Sequence, residues 1–180
     1  TNMQPGWGVR GVVRQVLRQL VPDVGTDRER VGRARDVLQQ WAAVLEDRRD
    51  PFYTALRHEV GIVVGATDAY LRYEHLAARN APVLLEELAR EADGHGLAYA
   101  GDASLAVSVP SLPPRVATWV DDQARQHEAP AVRREQIHDL LLGRMFRRTL
   151  WTHASAPLDR HLTGARLTGL HVRGELVPEG

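Results

Sequence analysis

The sequence predicts a mainly α-helical protein with a small antiparallel β element. Apolar residues recur at helical spacing along most of its 180 residues, and capping signals mark where helices begin. Two short stretches, near residue 97 and at 170–177, alternate apolar and polar residues as strands do. With 43% hydrophobic and 26% charged residues, the chain has the composition of an ordinary globular domain.

The N-terminal part is predicted to be helical. Valines and leucines from Val9 to Val21 recur every three or four residues, which indicates a first helix ending near Pro22. Thr26 and Glu29 have the spacing of a capping box and open a second helix. Its apolar seam consists of Val31, Ala34, Leu38, Trp41 and Leu45. The two helices are therefore expected to form a hairpin.

Three further helices follow from local signals. Asp50-Pro51 is an N-cap with proline at the first helical position, and the helix it opens carries an apolar stripe. Thr67-Asp68 begins a short helix. Asn80-Ala81-Pro82 precedes a helix over 81–93, for which Gly94 is the expected C-terminal stop.

The periodicity changes after Gly94. Residues 97–101 read as a strand, and Leu105, Val107 and Val109 as a second extended piece. Prolines then precede a helix with Trp119 in the core. A helix over 131–152 is predicted to be the longest and central, burying an apolar face with Leu141, Met145 and Leu150. Residues 170–177 are predicted to form a final strand.

Composition and spacing exclude several classes of function. The chain has no cysteine, and therefore no disulfide, thiolate zinc site or cysteine nucleophile. Equal numbers of basic and acidic residues, 23 each, remove any global attraction to nucleic acid or anionic membrane. No targeting segment or spanning run is visible, which favours the cytoplasm. No metal site is expected among the eight histidines, and the G-x-S-x-G and G-x-G-x-x-G motifs are absent.

Two local features suggest a role. Five arginines lie between Arg133 and Arg148, against Glu135 and Asp139. This stretch is either a site for an acidic ligand or a solvated helix face, and the solvated face is favoured. The like-charge spacing of Glu135 and Asp139 indicates partners elsewhere in the fold. Trp7 follows Pro5-Gly6, so it is predicted to lie on a turn, as a pocket wall or lid.

Several motifs occur together in a recognisable order: Asn2-x-x-Pro5-Gly6-Trp7, Tyr70-Leu71-x-x-Glu74-x-Leu76, Asn80-x-Pro82, His95-Gly96-Leu97-x-Tyr99-x-Gly101, and a long block from Glu135-Gln136 through Asp139, Arg144, Phe146 and Arg147 to His153. This arrangement resembles the methyltransferase regulatory domain. That module follows the cofactor-binding core in a group of bacterial class I S-adenosylmethionine-dependent methyltransferases, some of which methylate protein lysines.

The resemblance implies roles for these residues. Asn2, Pro5, Gly6 and Trp7 would follow the fifth strand of a methyltransferase core and lie near the transfer site. The core, which precedes Thr1 in this reading, would bind S-adenosylmethionine, whereas this chain alone would bind no cofactor and no metal. Structural or interdomain roles are implied for Tyr70, Glu74, Glu135, Gln136, Asp139, Arg144, Phe146, Arg147 and His153.

The organisation expected is a helical segment over 1–78 and a regulatory domain proper over 79–180. The helix 81–93 and the strands 97–101 and 170–177 would complete the sheet of the core. The chain would shape the substrate site without catalysing alone, with the core and a methyl acceptor, such as a protein, as partners. Tyr73 and Val83-Leu84-Leu85 depart from the family pattern, so lysine specificity is not implied.

The alternative is a stand-alone helical interaction or dimerisation module. The sequence N-terminal to Thr1 would discriminate between the two interpretations. A homodimer remains open in either. A hydrolase using His and Asp has no supporting constellation.

Overall fold

Helices form most of the fold, as predicted. A computed structural model describes residues 1–104, 110–160 and 163–169, except the side chains of Arg166 and Leu167. Its helices are α1 (Trp7–Leu20), α2 (Asp27–Leu45), α3 (Pro51–Val64), α4 (Asp68–Tyr70), a π-helix (Leu71–Leu76), α5 (Leu85–Asp93), α6 (Pro114–Arg125), α7 (Pro130–Leu142) and α8 (Gly164–Leu167). The predicted extended pieces at 105–109 and 170–177 lie outside the described residues.

The first helices form the larger core. The Thr26 hydroxyl accepts the Glu29 N–H and the Glu29 carboxylate accepts the Thr26 N–H, which confirms the capping box. The Asp50 carboxylate caps α3 by accepting the Phe52 N–H at 2.8 Å. The core buries the predicted apolar faces of α1, α2 and α3 against the π-helix. Its buried residues are Val13, Leu17, Val21, Val31, Ala34, Leu38, Leu45, Leu56, Val60, Val63, Leu71 and Leu76.

A two-stranded antiparallel sheet pairs β1 (Leu97–Asp102) with β2 (Thr149–His153). The strand at 97–101 is thus confirmed, but the helix over 131–152 is not. Gly143, at φ +59°, adopts the left-handed conformation and ends α7. The Thr-Leu-Trp-Thr-His sequence of β2 then favours extended backbone because β-branched and aromatic residues fit a pleated surface.

Burial around α7 changes along the helix: residues 135–139, including the apolar Ile137, are all buried. Glu135, Gln136, His138 and Asp139 are buried, whereas Leu141, Met145 and Leu150 are exposed. The expectation that these three apolar side chains lie in the core is therefore wrong. Trp119 on α6 is also exposed rather than buried.

The N-terminal residues are hydrogen-bonded to two segments that are distant in sequence. The Met3 N–H donates to the carbonyl of Met145 at 2.9 Å, and the Gln4 N–H to that of Val83 at 3.0 Å. Met3 is fully buried between these neighbours, beside Leu85 and Tyr99. Because Val83 is extended to pair with Met3, α5 begins at Leu85 and not at residue 81 as predicted.

No helix in the described part of the chain is long and apolar enough to cross a membrane.

Candidate functional site

The Asn2 side chain lies at the centre of a polar cluster. Its amide nitrogen donates to Glu74 Oε2 at 2.7 Å and to Asn80 Oδ1 at 3.1 Å. The Asn80 amide nitrogen donates in turn to the Glu74 carbonyl at 2.8 Å and to its Oε2 at 3.1 Å. The Glu74 carboxylate therefore fixes two amides, and the three residues come from three separate segments. With its nitrogen so engaged, the Asn2 amide has a defined orientation.

The π-helix brings Glu74 to this position. Thr67 caps the preceding turn by accepting the Tyr70 N–H at 3.2 Å. The carbonyls at the end of the π-helix are taken by arginines: Arg14 binds His75 O and Ala77 O, both at 2.8 Å. Arg18 and Arg30 each reach the Leu76 carbonyl at 3.2 Å. Since π-helical segments are rare and cluster at functional sites, this one marks the Asn2 cluster as the candidate site.

Trp7 packs against His75, next to the Asn2 cluster. It is the first residue of α1 and only 3% exposed, so the prediction that it lies on a turn as a pocket wall or lid is wrong. Its ring centroid lies 6.0 Å from that of His75, and the Arg10 guanidinium lies 5.8 Å from the indole centroid. Glu59 forms an ion pair with Arg10. Trp7 thus packs against the π-helix residue next to Glu74.

His75 is completely buried between aromatic rings. The ring centroid of Tyr70 lies 5.5 Å from that of His75, and the Trp7 ring is the other aromatic neighbour. Neither imidazole nitrogen has a hydrogen-bond partner among the described residues. Burial, reinforced by the positive charges of Arg10 and Arg14, lowers the pKa of His75 to about 4. His75 is therefore a neutral imidazole at physiological pH.

Gly6 permits the close approach of the N-terminal segment. Its N–H donates to the Arg144 carbonyl at 3.2 Å. A Cβ at this position would collide with the Gly143 carbonyl oxygen and the Arg144 backbone. The glycine of the Pro5-Gly6-Trp7 motif is thus required by packing against the end of α7, whereas Pro5 is exposed.

A second polar cluster surrounds Arg147, which is 1% exposed. Its guanidinium binds both Asp139 oxygens at 2.8 Å, and Glu135 Oε2 at 2.8 Å. Asp102 Oδ2 of β1 lies 3.7 Å away, and Arg144 also binds Asp139, at 3.0 Å. Both interpretations of the arginine stretch, ligand site and solvated face, are wrong for this residue. Glu135 and Asp139 do have partners, but these are Arg144 and Arg147 of the same stretch and not residues elsewhere in the fold.

This second cluster is a structural clamp. Burial alone would lower the pKa of Arg147, but its hydrogen bonds to Asp139 and Glu135 outweigh burial and hold that pKa above its usual range. Burial, with the Glu135 charge, raises the pKa of Tyr99 to about 12, so its hydroxyl stays protonated. The backbone N–H of Arg147 also donates to the Thr1 carbonyl at 3.0 Å. The clamp therefore ties α7, β1 and the N-terminal segment together.

The remaining motif residues are spread around these clusters. Gln136 is buried and accepts the Glu86 N–H of α5 at 3.2 Å. Phe146 pairs with Asn2 through the backbone, and His153 pairs with Leu97 at the end of the sheet. Sequence reasoning missed His75 as a site residue, because nothing in its spacing shows that two aromatic side chains enclose it.

Neither cluster forms a metal or nucleotide site. Within residues 1–104, 110–160 and 163–169, no group of three histidine, aspartate or glutamate side chains could hold a metal ion. The described sheet is antiparallel, and the sequence has no glycine-rich turn for a cofactor phosphate. No chemical step through a cofactor is therefore assigned to these residues.

Comparison with known proteins identifies the module. A family model described as a predicted methyltransferase regulatory domain matches residues 67–153, just under half of the chain. Over residues 67–153 the chain is therefore similar to the methyltransferase regulatory domain. The match runs from Thr67, which caps α4, to the end of β2, and so includes Glu74, Asn80 and the Arg147 clamp. The resemblance predicted from the motifs is confirmed over these residues.

Relatives extend the similarity to the rest of the chain. An uncharacterized protein, RP789, of Rickettsia prowazekii (strain Madrid E) is 27% identical over 179 residues, 99% of this chain and 32% of the relative. The structure of PKMT2 from Rickettsia typhi is similar at 25% identity and a TM-score of 0.75. Its complex with AdoHcy is similar at 26% identity and a TM-score of 0.76.

The similarity thus lies within longer proteins. The chain spans about a third of the length of these relatives, and each PKMT2 match covers 92% of this chain but only 30–31% of the other. The activity of these longer proteins is therefore not assigned to this chain by the similarity.

Proposed function

We propose that this chain is the substrate-facing regulatory part of an S-adenosylmethionine-dependent methyltransferase, with the cofactor held by a separate catalytic half. The observation that carries the proposal is the Asn2–Glu74–Asn80 cluster, which joins the N-terminal motif to the regulatory domain. The presence of AdoHcy in one similar structure supports a methyltransferase context. In this proposal Asn2 follows the last strand of the catalytic half, as the resemblance implies.

The cluster suits recognition of a methyl acceptor. Both polar contacts of Asn2 named above use its amide nitrogen, so its amide oxygen faces away from Glu74 and Asn80. That oxygen can accept a hydrogen bond from the group to be methylated. A fixed amide needs no reorganisation during the reaction, which is how preorganised polar groups contribute to catalysis. Asn2 would contact the methyl acceptor, and Glu74 and Asn80 would act as positioning residues.

Trp7 has a supporting role in this proposal. Since its indole is buried against His75, it contributes to the transfer site by holding the π-helix and hence Glu74. Pro5 and Gly6 set the path of the segment between Asn2 and Trp7. Glu135, Asp139, Arg144 and Arg147 fix the far side of that segment and do not meet the methyl acceptor.

Glu74→Gln tests the proposal in the full-length enzyme. The neutral amide keeps the shape of the side chain but weakens the hold on Asn2, so turnover should fall about tenfold, equivalent to about 1.4 kcal/mol. The measurement is formation of S-adenosylhomocysteine with a lysine-containing peptide and other candidate acceptors. Affinity for S-adenosylmethionine, measured by calorimetry, should stay within about twofold of wild type.

The matched control is Glu91→Gln, an exposed glutamate on α5. It should leave both turnover and cofactor affinity unchanged. Wild-type turnover in Glu74→Gln, or parallel losses of activity and of folded protein, would contradict a positioning role for Glu74.

A further inference from the structure

An apolar ridge lies on the surface between the end of α7 and β2. It consists of Leu140, Leu141, Leu142, Met145, Phe146 and Leu150, which are between 39% and 54% exposed. A single exposed leucine needs no explanation, because much of any protein surface is apolar. Six large apolar side chains within residues 140–150 form a concentration that marks an interaction site.

Burial changes abruptly along α7, which strengthens this interpretation. Residues 135–139 are all buried, and Arg147 binds the carboxylates of Glu135 and Asp139 there. The last turn of the helix, at residues 140–142, consists of three exposed leucines. The Arg147 clamp thus fixes the buried part of α7 and leaves the leucines at its end available to a second body.

We infer that the apolar ridge is the docking surface for the catalytic half of the same polypeptide, an inference that rests on the proposed function. The PKMT2 structures extend well beyond the part this chain matches, since it covers only 30–31% of them. Such a length of chain is sufficient for a separate catalytic body.

The position of the ridge favours that occupant over others. Phe146 pairs with Asn2, and the Met145 carbonyl accepts the Met3 N–H. A catalytic half attached at the N-terminal motif would therefore leave the regulatory domain directly beside the ridge. Tethering at this point gives it a high effective concentration, so even a modest apolar surface suffices for stable docking.

Thiol labelling of the full-length enzyme tests whether the ridge is covered. This chain has no cysteine, so any modified thiol within it is the introduced one, and peptide mass spectrometry separates it from thiols elsewhere in the enzyme. The variants are Leu141→Cys and Phe146→Cys, with Leu20→Cys on α1 as the control, since Leu20 is 61% exposed and lies outside the ridge. Maleimide modification, followed by peptide mass spectrometry, should be at least tenfold slower at positions 141 and 146. Equal rates at all three positions would overturn the inference.

Photo-crosslinking identifies the occupant. A benzophenone amino acid placed at position 141 of the full-length enzyme should crosslink within one polypeptide, to peptides of the catalytic half. Crosslinks between two copies, visible as dimers on a denaturing gel, would show a homodimer interface and overturn the inference.

Calorimetric titration of the full-length enzyme with S-adenosylmethionine distinguishes failure of the docking surface from failure of the proposed function. Cofactor binding combined with rapid labelling of the ridge would refute the docking surface alone. Absence of cofactor binding would refute the proposed function and, with it, the catalytic half as the occupant.

Discussion

His75 combines complete burial with the absence of a hydrogen-bond partner among the described residues. Trp7 and Tyr70 enclose its ring, and Arg14 binds its backbone carbonyl. A protonated imidazole would be costly there because it would lose its hydration without gaining a counter-ion. The residue therefore reports on whether the π-helix is packed as described.

Stability should fall as the pH is lowered from 7 to 5. The pKa of His75 is about 4 in the folded protein, and 6.5 is the ordinary histidine value expected after unfolding. The unfolded chain consequently binds more protons between these values, so the contribution is complete above pH 6.5 and is lost towards pH 4. The expected loss from this group between pH 7 and pH 5 is about 2 kcal/mol.

Urea unfolding at a series of pH values measures this slope. His75→Phe should flatten it, because the phenyl ring retains the packing but cannot bind a proton. The control His58→Gln, at an exposed position of α3, should keep the wild-type slope. An imidazole resonance of His75 that titrates near pH 6.5 in the folded protein would contradict the assigned burial.

Among the elements, the first three helices could be predicted from the sequence, whereas the end of α7 and the strand β2 could not. The helices α1, α2 and α3 could be predicted because their apolar spacing, caps and burial agree. In α7, by contrast, Ile137 is buried but the three leucines that follow at 140–142 are exposed. The predicted helix also continued through Leu150, since Gly143 alone gives a weak signal for a left-handed end.

The burial of Arg147 in an ionic cluster could not be predicted from the charges of its neighbours in sequence. A count along residues 133–148 gives an excess of arginine, which suggests a solvated face or a ligand site. The fold instead brings Asp102 from β1 to the same guanidinium as Glu135 and Asp139 of α7. Only the like-charge spacing of Glu135 and Asp139 indicated that a partner was required. The Asn2 cluster was equally hidden, because Glu74 is distant in sequence from Asn2.

Arg147→Met should reduce the free energy of unfolding by about 3–5 kcal/mol, because it leaves Glu135 and Asp139 buried without their main counter-charge. Denaturant unfolding followed by circular dichroism measures the loss. The control Arg148→Met changes the exposed neighbouring arginine and should cost less than about 0.5 kcal/mol. Equal effects of the two substitutions would show that the clamp contributes little to stability.

At the scale of the whole molecule, the N-terminal segment is the point where the parts meet. Thr1, Met3 and Gly6 bond to the backbone of residues 144–147, Val83 donates to the Asn2 carbonyl, and the Asn2 side chain reaches the π-helix. A displacement of this segment would therefore move the Asn2 amide relative to Glu74. If the catalytic half connects at this segment, as we propose, its position and the geometry of the Asn2 cluster would be coupled.

The 180-residue chain alone should bind S-adenosylmethionine weakly or not at all, whereas the full-length protein should bind it. The sequence has no glycine-rich turn between a strand and a helix, and such a turn supplies the backbone N–H groups that receive a nucleotide cofactor. Thermal unfolding with and without the cofactor compares the two proteins. A ligand at 100 times its dissociation constant stabilises the folded state by about 2.7 kcal/mol, so the full-length protein should melt at a higher temperature and the chain alone should not. Micromolar affinity of the chain alone, measured by calorimetry, would place a cofactor site within these residues and contradict the division of roles between the two halves.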